Sequence, residues 1–350
     1  MNMNIDLIDR IAQLEKNEIV QLLEHKTAED IAYAQAKARA NTDAVFGKKV
    51  FIRGLIEISN FCKNNCYYCG IRCQNKTVSR YRLNLDTVLS CCEKGYRAGF
   101  RTFVLQGGED GFFTDGILTE WIRVIKENYP DCAVTLSLGE RTKSSYQALF
   151  DAGADRYLLR HETASAEHYA KLHPETMSFS NRISCLKSLK GIGYQTGCGM
   201  MVGSPFQTAS DLADDLIFMR EFKPHMVGIG PFIPASHTPF SAEKTGSIEE
   251  TLFLIRLVRL VLPNALIPAT TALQTLLPNG RLLALQAGAN VVMPNLSPPE
   301  ERAKYMLYQR KENAFFDTAE DSARIFAQLK DAGYEIVIGR GDYQDHERKE

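Results

Sequence analysis

Three cysteines form the most chemically informative pattern in the sequence. Cys62, Cys66 and Cys69 are spaced C-x3-C-x2-C in the segment NFCKNNCYYCG. A cubane [4Fe–4S] cluster takes one thiolate per iron, so three thiolates leave one iron open to a small chelating molecule. Zinc sites usually take four ligands, commonly from two C-x2-C pairs, and this segment has no second pair and no nearby His. A zinc site that uses Cys73 as its fourth ligand is the alternative.

Polar residues recur in the segments that follow the later apolar runs. Gly107-Gly108-Glu109 ends one run, and LSLGER and LLRHETAS end the next two. Polar side chains at the end of an apolar strand are costly to bury without partners, so we expect them to line a polar cavity. Ser137, Glu140, Arg160, His161, Glu162, Thr270 and Thr271 are the candidates. The alternatives are a solvated helix cap for Glu162, a purely structural role for His161, and for Arg160 a structural salt bridge with a neighbour such as Glu162.

Eight apolar runs alternate with helical patterns and must position these residues. The runs cover residues 49–59, 102–106, 133–138, 156–160, 194–203, 225–230, 265–270 and 290–294. Alternating strands and helices predict a parallel sheet, and eight such units predict an α/β fold of the (β/α)8 TIM-barrel type. Chemistry in such barrels lies at the carboxyl ends of the strands. An open doubly wound sheet is the alternative, although no GxGxxG follows the first strand.

The ends of the chain lead to a simple domain prediction. Residues 1–47 are predicted to be an N-terminal helical extension, and residues 48–350 a barrel with a C-terminal extension. The charged tail DYQDHERKE is predicted to be frayed. Helices are predicted to begin at four capping residues, Asp86, Ser180, Ser210 and Ser247.

Composition narrows the class of protein. The 350 residues are 45% hydrophobic, which is enough for a large core, and carry a net charge of −1, which predicts neither a nucleic-acid nor a membrane partner. The acidic N-terminus lacks the apolar region of a signal peptide, so a cytoplasmic location is expected. Nine cysteines is an odd number, and the five scattered ones are interpreted as buried thiols rather than as a disulfide framework.

The cysteine spacing, with Tyr68 just before the last cysteine, resembles the signature of the radical S-adenosylmethionine (SAM) superfamily. This resemblance implies that the amino and carboxylate groups of SAM occupy the open iron and that Tyr68 lies near the adenine. Gly107, Gly108 and Glu109 resemble the element that holds the methionine amino group of SAM. The segment VGIGPFIP around Ile229 resembles the backbone element that lies against the adenine.

Several longer segments resemble the HydE family of [FeFe]-hydrogenase maturases. They are NFCKNNCYYCG, QGGED, LSLGE, DRYLLRHETAS, MVGIGPFIP, TPF and IPATTA, in this order between about residues 45 and 300. The resemblance implies SAM contacts from Ser137, Glu162 and Arg182, and anionic ligands held by Arg160, Thr270 and Thr271. It also implies reductive cleavage of SAM to a 5′-deoxyadenosyl radical, with no catalytic residue beyond the cofactor, acting on a small cysteine-bound iron complex with CO and cyanide.

The same resemblance implies partners and a low-oxygen setting. A ferredoxin or flavodoxin type protein would supply the electron, and other hydrogenase maturases would act in the same assembly. The chain departs from some family members, which carry three further cysteines late in the barrel, because YMLYQRKENAFFDTAEDSARI contains none. One [4Fe–4S] cluster is therefore predicted. The alternatives are a radical SAM enzyme similar to methylornithine synthase or biotin synthase, and a non-enzymatic iron–sulfur scaffold.

Overall fold

The computed structural model describes residues 3–308 and 322–345, which alternate between helices and strands along most of the chain. The strands are β1 Lys49–Ile52, β2 Gly54–Ser59, β3 Thr102–Gly107, β4 Ala133–Ser137, β5 Arg156–Leu158, β6 Gln195–Val202, β7 Met226–Pro231, β8 Val291–Val292 and β9 Glu335–Val337. The helices are α1 Met3–Asp9, α2 Lys16–His25, α3 Ala28–Phe46, α4 Leu85–Arg97, α5 Asp115–Asn128, α6 Lys143–Asp151, α7 Ala166–Leu172, α8 Phe179–Ile192, α9 Ala209–Phe222, α10 Ile248–Val261, α11 Thr271–Leu276, α12 Gly280–Gln286, α13 Pro299–Arg302 and α14 Ser322–Asp331.

Strands β2 to β7 form one parallel sheet in sequence order. Single bridges extend both of its edges: Leu55 of β2 pairs with Asn295, and Met226 of β7 pairs with Leu266. A further bridge joins Pro268 to Val291 of β8. The strands therefore close into a ring, which confirms the α/β barrel of the TIM type, whereas an open doubly wound sheet would keep two free edges.

The barrel is least regular at its seventh and eighth units. The apolar run at 265–270 makes only isolated bridges, because Pro268 has no amide hydrogen and the Ile267 amide donates to Asn290 Oδ1 at 2.8 Å instead. The first run divides at Arg53, so that β1 pairs with β8 and β9 while β2 pairs with β3. Strand β9 was not among the predicted runs.

Four predicted helix starts can be compared with the observed caps. Ser247 caps α10 as predicted, and its side chain accepts the Glu250 amide hydrogen. The predictions at Asp86, Ser180 and Ser210 are wrong by two residues, because the caps are Asn84, Ser178 and Thr208. Each of these three residues has an extended backbone, and its side chain accepts an amide hydrogen three residues later, which defines a cap.

The first three helices pack on the outside of the barrel. Helix α2 contacts α9, and α3 contacts α10. Lys16 Nζ lies 2.7 Å from Asp214 Oδ2, and Arg220 donates to the Leu14 carbonyl at 2.7 Å. Gly47 ends α3 with a φ of +62°, in the region that favours glycine, directly before β1. Within the described ranges, no helix has the length and apolar character that crossing a membrane requires.

The C-terminal segment crosses the amino ends of the strands. Asp342 Oδ1 accepts hydrogen bonds from Arg156 at 2.6 Å and from Gln195 at 3.0 Å, and the Tyr343 amide donates to Gln195 Oε1 at 2.8 Å. The prediction of a frayed tail is therefore wrong for Asp342 and Tyr343, whereas residues 346–350 lie outside the described ranges. Residues 335–345 close this end of the barrel.

Candidate active site

One cavity of about 390 Å³ lies at the carboxyl ends of the strands. This volume is within the usual range of small-molecule sites. The cavity gathers nearly all the predicted site residues: Cys62, Cys66, Tyr68, Cys69, Gly107, Gly108, Glu109, Ser137, Arg160, Glu162, Arg182, Thr270 and Thr271. Glu140, His161 and Ile229 are the exceptions and do not line the cavity. The Ile229 side chain is fully buried in the hydrophobic core, and Gly228 and Gly230 line the cavity on either side of it.

The three thiols are half-buried in the cavity wall, and none forms a disulfide. Burial raises the pKa of Cys69 to about 12 and that of Cys66 well above its usual value, so iron has to displace the thiol protons when it binds. Among the residues described, no three His, Cys, Asp or Glu side chains converge on a point where one metal ion could sit. Ligands of a cubane bind separate irons and need no such convergence, so the thiols fit a cluster better than they fit zinc.

Arg80 holds the cysteine loop in shape. Its guanidinium donates to the carbonyls of Ile71 at 2.8 Å, Arg72 at 2.7 Å and Asn75 at 3.1 Å, and also to the carbonyl of Asn60. These carbonyls lie before and after the three cysteines, so one side chain joins both ends of the loop. The sequence analysis missed Arg80, because nothing in its spacing marks it; only the folded loop brings the four carbonyls together.

The Gly107-Gly108 pair permits a close approach of two loops. A Cβ on Gly108 would lie 2.2 Å from the Phe61 carbonyl oxygen and 2.7 Å from Cys62 Cβ. No side chain fits there unless the cysteine loop moves, which explains the glycine. Glu109 follows and accepts the Glu140 amide hydrogen at 2.9 Å, while Lys63 Nζ lies 3.2 Å from its other oxygen.

Arg160 and Glu162 face each other across the cavity wall. Arg160 Nη2 lies 3.0 Å from Glu162 Oε2, so the ion pair considered as an alternative does form. The angles do not suit a hydrogen bond, however, and among the described residues neither of these two buried atoms has a hydrogen-bonding partner, nor does Arg160 Nε. Buried groups of this kind are costly unless a ligand satisfies them, so the pair is available to bind a polar molecule.

The backbone at Glu162 is held in an unusual conformation by strand β6. Its φ of +68° lies in the left-handed region, which is uncommon for a residue with a side chain. The Glu162 amide donates to the Gly199 carbonyl at 3.0 Å, and its carbonyl accepts the Met201 amide hydrogen at 3.2 Å. Such a conformation persists only where neighbours determine it, and it places Glu162 in the cavity wall rather than on a surface loop.

His161 is structural and does not line the cavity. It is fully buried; Nδ1 accepts the Gly199 amide hydrogen at 3.2 Å, and Nε2 lies 3.1 Å from Asp215 Oδ1. Because Nδ1 accepts, Nε2 carries the hydrogen and donates to Asp215. The imidazole thus ties the turn before Glu162 to β6 and α9.

Arg182 joins the ends of two neighbouring strands. Its Nε donates to Glu140 after β4, and its Nη1 donates to the Arg160 carbonyl after β5 at 2.7 Å. Burial works to lower the pKa of Arg182, but Tyr169, Glu140 and Tyr68 raise it above its usual value. The guanidinium therefore stays charged and is available to an anionic group in the cavity.

Tyr68 is oriented by a histidine that the sequence analysis missed. The Tyr68 hydroxyl lies 3.1 Å from His173 Nε2, and the two rings meet edge to face at 5.4 Å. His173 Nδ1 lies 3.0 Å from the Tyr169 carbonyl and can only donate to it, so Nε2 accepts from Tyr68. Burial lowers the pKa of His173 to about 3, which keeps the ring neutral.

The far wall of the cavity adds further polar groups. Thr270 Oγ1 is buried and has no hydrogen-bonding partner within residues 3–308 and 322–345, and Thr271 follows it at the start of α11. Five residues that the sequence analysis did not select also line this wall, namely Glu57, Gln106, Asn295, Arg302 and Tyr305. They come from strands and loops far apart in sequence, so only the closed ring brings them together.

The chain is similar in sequence and in fold to several known proteins. Residues 56–219 match the model of the radical SAM superfamily. The chain is 48% identical over 265 residues to the [FeFe] hydrogenase maturase subunit HydE of Thermotoga maritima, covering 76% of this chain and 75% of that protein. It is 29% identical to 3-methylornithine synthase of Methanosarcina barkeri, covering 85% and 84%. A crystal structure of methylornithine synthase (PylB) superposes with a TM-score of 0.82 at 26% identity, covering 95% and 97%.

Proposed function

The chain belongs to the family of the [FeFe] hydrogenase maturase subunit HydE within the radical SAM enzymes, and from this premise we propose which residues do the work. Cys62, Cys66 and Cys69 would hold one [4Fe–4S] cluster. When bound, the reduced cluster supplies one electron to the sulfonium of SAM, which yields methionine and a 5′-deoxyadenosyl radical. The observation that carries the proposal is the single cavity in which these thiols meet unpartnered polar groups from other strand ends.

The proposed SAM contacts lie around the thiols. Glu109 and Ser137 would bind the amino acid part of SAM, where Gly107 and Gly108 let the backbone approach closely. Glu162 would accept hydrogen bonds from the ribose, and Arg182 would bind the carboxylate. Tyr68, oriented by His173, would lie near the adenine, and the strand around Ile229 would contribute backbone through Gly228 and Gly230.

The proposed substrate is a small anionic molecule in the same cavity. Arg160 can bind a carboxylate through two parallel hydrogen bonds, and the Thr270 and Thr271 hydroxyls can donate to further anionic oxygens or to a cyanide nitrogen. These groups suit a cysteine-bound iron complex with CO and cyanide on the way to the hydrogenase active site. The cavity walls keep water from the radical, which would otherwise attack unintended partners.

The domain arrangement and partners complete the proposal. Helices within residues 1–47 would brace the outside of the barrel formed by residues 48–350 through contacts to α9 and α10. An electron carrier of the ferredoxin or flavodoxin type would reduce the enzyme, and other hydrogenase maturases would act before and after it. The enzyme would work in the cytoplasm at low oxygen.

The test is anaerobic reconstitution followed by two assays. We expect SAM cleavage to 5′-deoxyadenosine and methionine with dithionite as reductant, and restored hydrogenase activity in an assembly mixture that lacks only the HydE subunit. Absence of SAM cleavage from protein with a full iron content would refute the enzymatic mechanism and leave the scaffold alternative.

Methylornithine synthase activity is the second candidate. The similarity over nearly the whole length of both structures favours it. Mass spectrometry of the same reaction mixtures supplied with cell extract discriminates between the two. Formation of 3-methylornithine without hydrogenase maturation would favour the second candidate.

A further inference from the structure

The loop that carries the three cysteines has an unusual charge. Between Glu57 and Asp86 the sequence contains no acidic residue and five basic ones: Lys63, Arg72, Lys76, Arg80 and Arg82. The net charge of the whole chain is −1, so this is a local concentration of positive charge and not a general property. Local asymmetry of this kind orients a charged partner as it approaches.

Three of the five basic residues face outward. Arg72 is buried and Arg80 is bound to loop carbonyls, so these two serve the loop itself. The Lys63 side chain is 66% exposed, and Lys76 and Arg82 are also exposed. Lys63 is paired with Glu109 at 3.2 Å and Arg82 with Asp110 at 2.7 Å, whereas Lys76 forms no ion pair with any residue in the described ranges and its Nζ donates to the Cys73 carbonyl at 3.3 Å. The charge of Lys76 is therefore the one that is free to act on a partner.

An exposed aromatic residue continues this surface. The Arg82 guanidinium lies 3.9 Å from the centre of the Phe61 ring and 4.9 Å from that of Phe112. Phe112 is 49% exposed, and Phe61 directly precedes Cys62. A basic and aromatic surface thus leads by direct contacts to the first cysteine. We call Lys63, Lys76, Arg82 and Phe112 the basic face.

We propose that the basic face docks an acidic one-electron carrier protein with an iron–sulfur or flavin centre. This inference rests on the proposed function, because the carrier loses one electron and the bound cluster gains it. Electron transfer slows steeply with distance, so the carrier must approach the cysteine loop. The cavity side of the loop is needed for SAM and substrate, which leaves the outer side that the basic face covers.

The same basic residues could instead compensate the negative charge of the bound cluster, a role called charge balance below. A cluster with three thiolates is negatively charged, and nearby cations would stabilise its reduced form without any docking. The two explanations differ in what Lys76 does. In a docking role Lys76 affects carrier affinity, whereas in charge balance it affects reduction by any reductant.

The experiment uses the reconstituted full-length enzyme and its Lys76→Glu variant. The probe is an acidic bacterial ferredoxin with two [4Fe–4S] clusters, and binding is measured by calorimetry at low and high salt. We expect the Kd to rise about tenfold at low salt, with a smaller difference at high salt, because ions screen the interaction. SAM cleavage driven by limiting reduced ferredoxin should fall by a similar factor, and cleavage driven by dithionite should not change.

Two further variants sharpen the test. Lys94→Glu reverses another exposed charge, which lies in the last turn of α4 away from the cysteine loop, and should leave ferredoxin affinity unchanged. Phe112→Ser should weaken binding by a few fold at both salt concentrations, because its contact is apolar rather than ionic.

Each contrary result overturns the proposal. An unchanged Kd in Lys76→Glu, or an equal loss in Lys94→Glu, would show that the basic face is not the docking surface. A loss of dithionite-driven cleavage at unchanged Kd would assign Lys76 to charge balance. Failure of the unmodified enzyme to cleave SAM with dithionite would instead contradict the proposed function, and the calorimetry does not depend on that outcome.

Discussion

Arg156 begins strand β5 and Arg160 lies two residues beyond its carboxyl end, and the surroundings of the two side chains differ. Arg156 is fully buried at the amino end and donates to Gln195, Thr102 and Asp342 and to the Arg340 carbonyl. Arg160, beyond the carboxyl end, forms an ion pair with Glu162, and its Nε and Nη2 are buried with no hydrogen-bonding partner among the described residues.

The difference shows how the barrel separates stability from function. At the amino end the C-terminal segment supplies acceptors for a buried charge, as expected where a group serves the fold. At the carboxyl end hydrogen-bonding groups are left unused, as expected where a ligand completes the set. The same residue type thus serves two purposes at the two ends of one barrel unit, and variants can separate them.

The largest expected effect comes from the three thiols at the carboxyl end. Changing Cys62, Cys66 or Cys69 singly to Ala should abolish SAM cleavage, while the amino end stays intact. The unmodified protein should bind about four irons, as one cubane requires. Cys73→Ala is the control and should keep the cluster absorbance and the activity. About eight irons per chain, or loss of the cluster in Cys73→Ala, would contradict a single site with three thiolates.

Arg160→Met should separate SAM cleavage from hydrogenase maturation, the two activities proposed for the carboxyl end of the barrel. The substitution removes the cation proposed for the substrate but no fully bonded structural group. We expect near-normal uncoupled SAM cleavage, loss of hydrogenase maturation and a smaller loss of stability than Arg156→Met causes. If maturation persists, Arg160 serves only its ion pair with Glu162, and the anionic-substrate proposal loses its main support.

The matched substitution at the amino end is Arg156→Met. It removes a buried donor from Asp342, which keeps its ion pair with Arg340, and it removes the same donor from the Thr102 hydroxyl and the Arg340 carbonyl. Losing a hydrogen bond from a charged donor costs about 1.5–3 kcal/mol, so the free energy of unfolding should fall by at least that order. Urea titration of both Met variants measures the contrast. Equal destabilisation of the two variants would remove the distinction between the two ends.

Arg80 also lies near the carboxyl end of the barrel, but unlike Arg160 its guanidinium donates to four carbonyls of the cysteine loop. Arg80→Lys keeps the charge but cannot reach four carbonyls at once, because lysine lacks the planar fork. We expect a lower iron content after reconstitution, with the remaining loaded fraction showing an unchanged cluster spectrum. Arg97→Lys, an exposed site on α4, is the control. Full iron content in Arg80→Lys would show that the loop does not need the fork.

The smallest effect is expected for Glu162→Ala. Losing one ribose acceptor in a desolvated site costs about 1–3 kcal/mol, so SAM affinity should fall roughly tenfold or more while the cluster stays intact. The exposed Glu167→Ala on α7 serves as control. Equilibrium dialysis of SAM measures both variants, and unchanged binding in Glu162→Ala would place this residue outside the SAM pocket.

The amino end of the barrel, which the C-terminal segment closes, was the part that the sequence predicted least well. The tail DYQDHERKE is strongly charged, and charged termini are commonly frayed, yet Asp342 and Tyr343 are bonded to Arg156 and Gln195. Nothing local marks those partners, which are more than 140 residues away. Strand β9 was missed for the same reason, because its pairing with β1 depends on closure of the ring.

The sequence by itself determined the alternating strands and helices, the cysteine loop and the family, because periodicity and short motifs are local properties of the chain. It also identified most of the cavity residues, since the carboxyl ends of parallel strands meet at one end of a barrel. Only the tertiary structure decided that His161 faces the core, that His173 orients Tyr68 and that Arg80 holds the cysteine loop. Each of these roles depends on a hydrogen bond between segments distant in sequence or on a loop folded back on itself, and such a bond exists only once the barrel has closed.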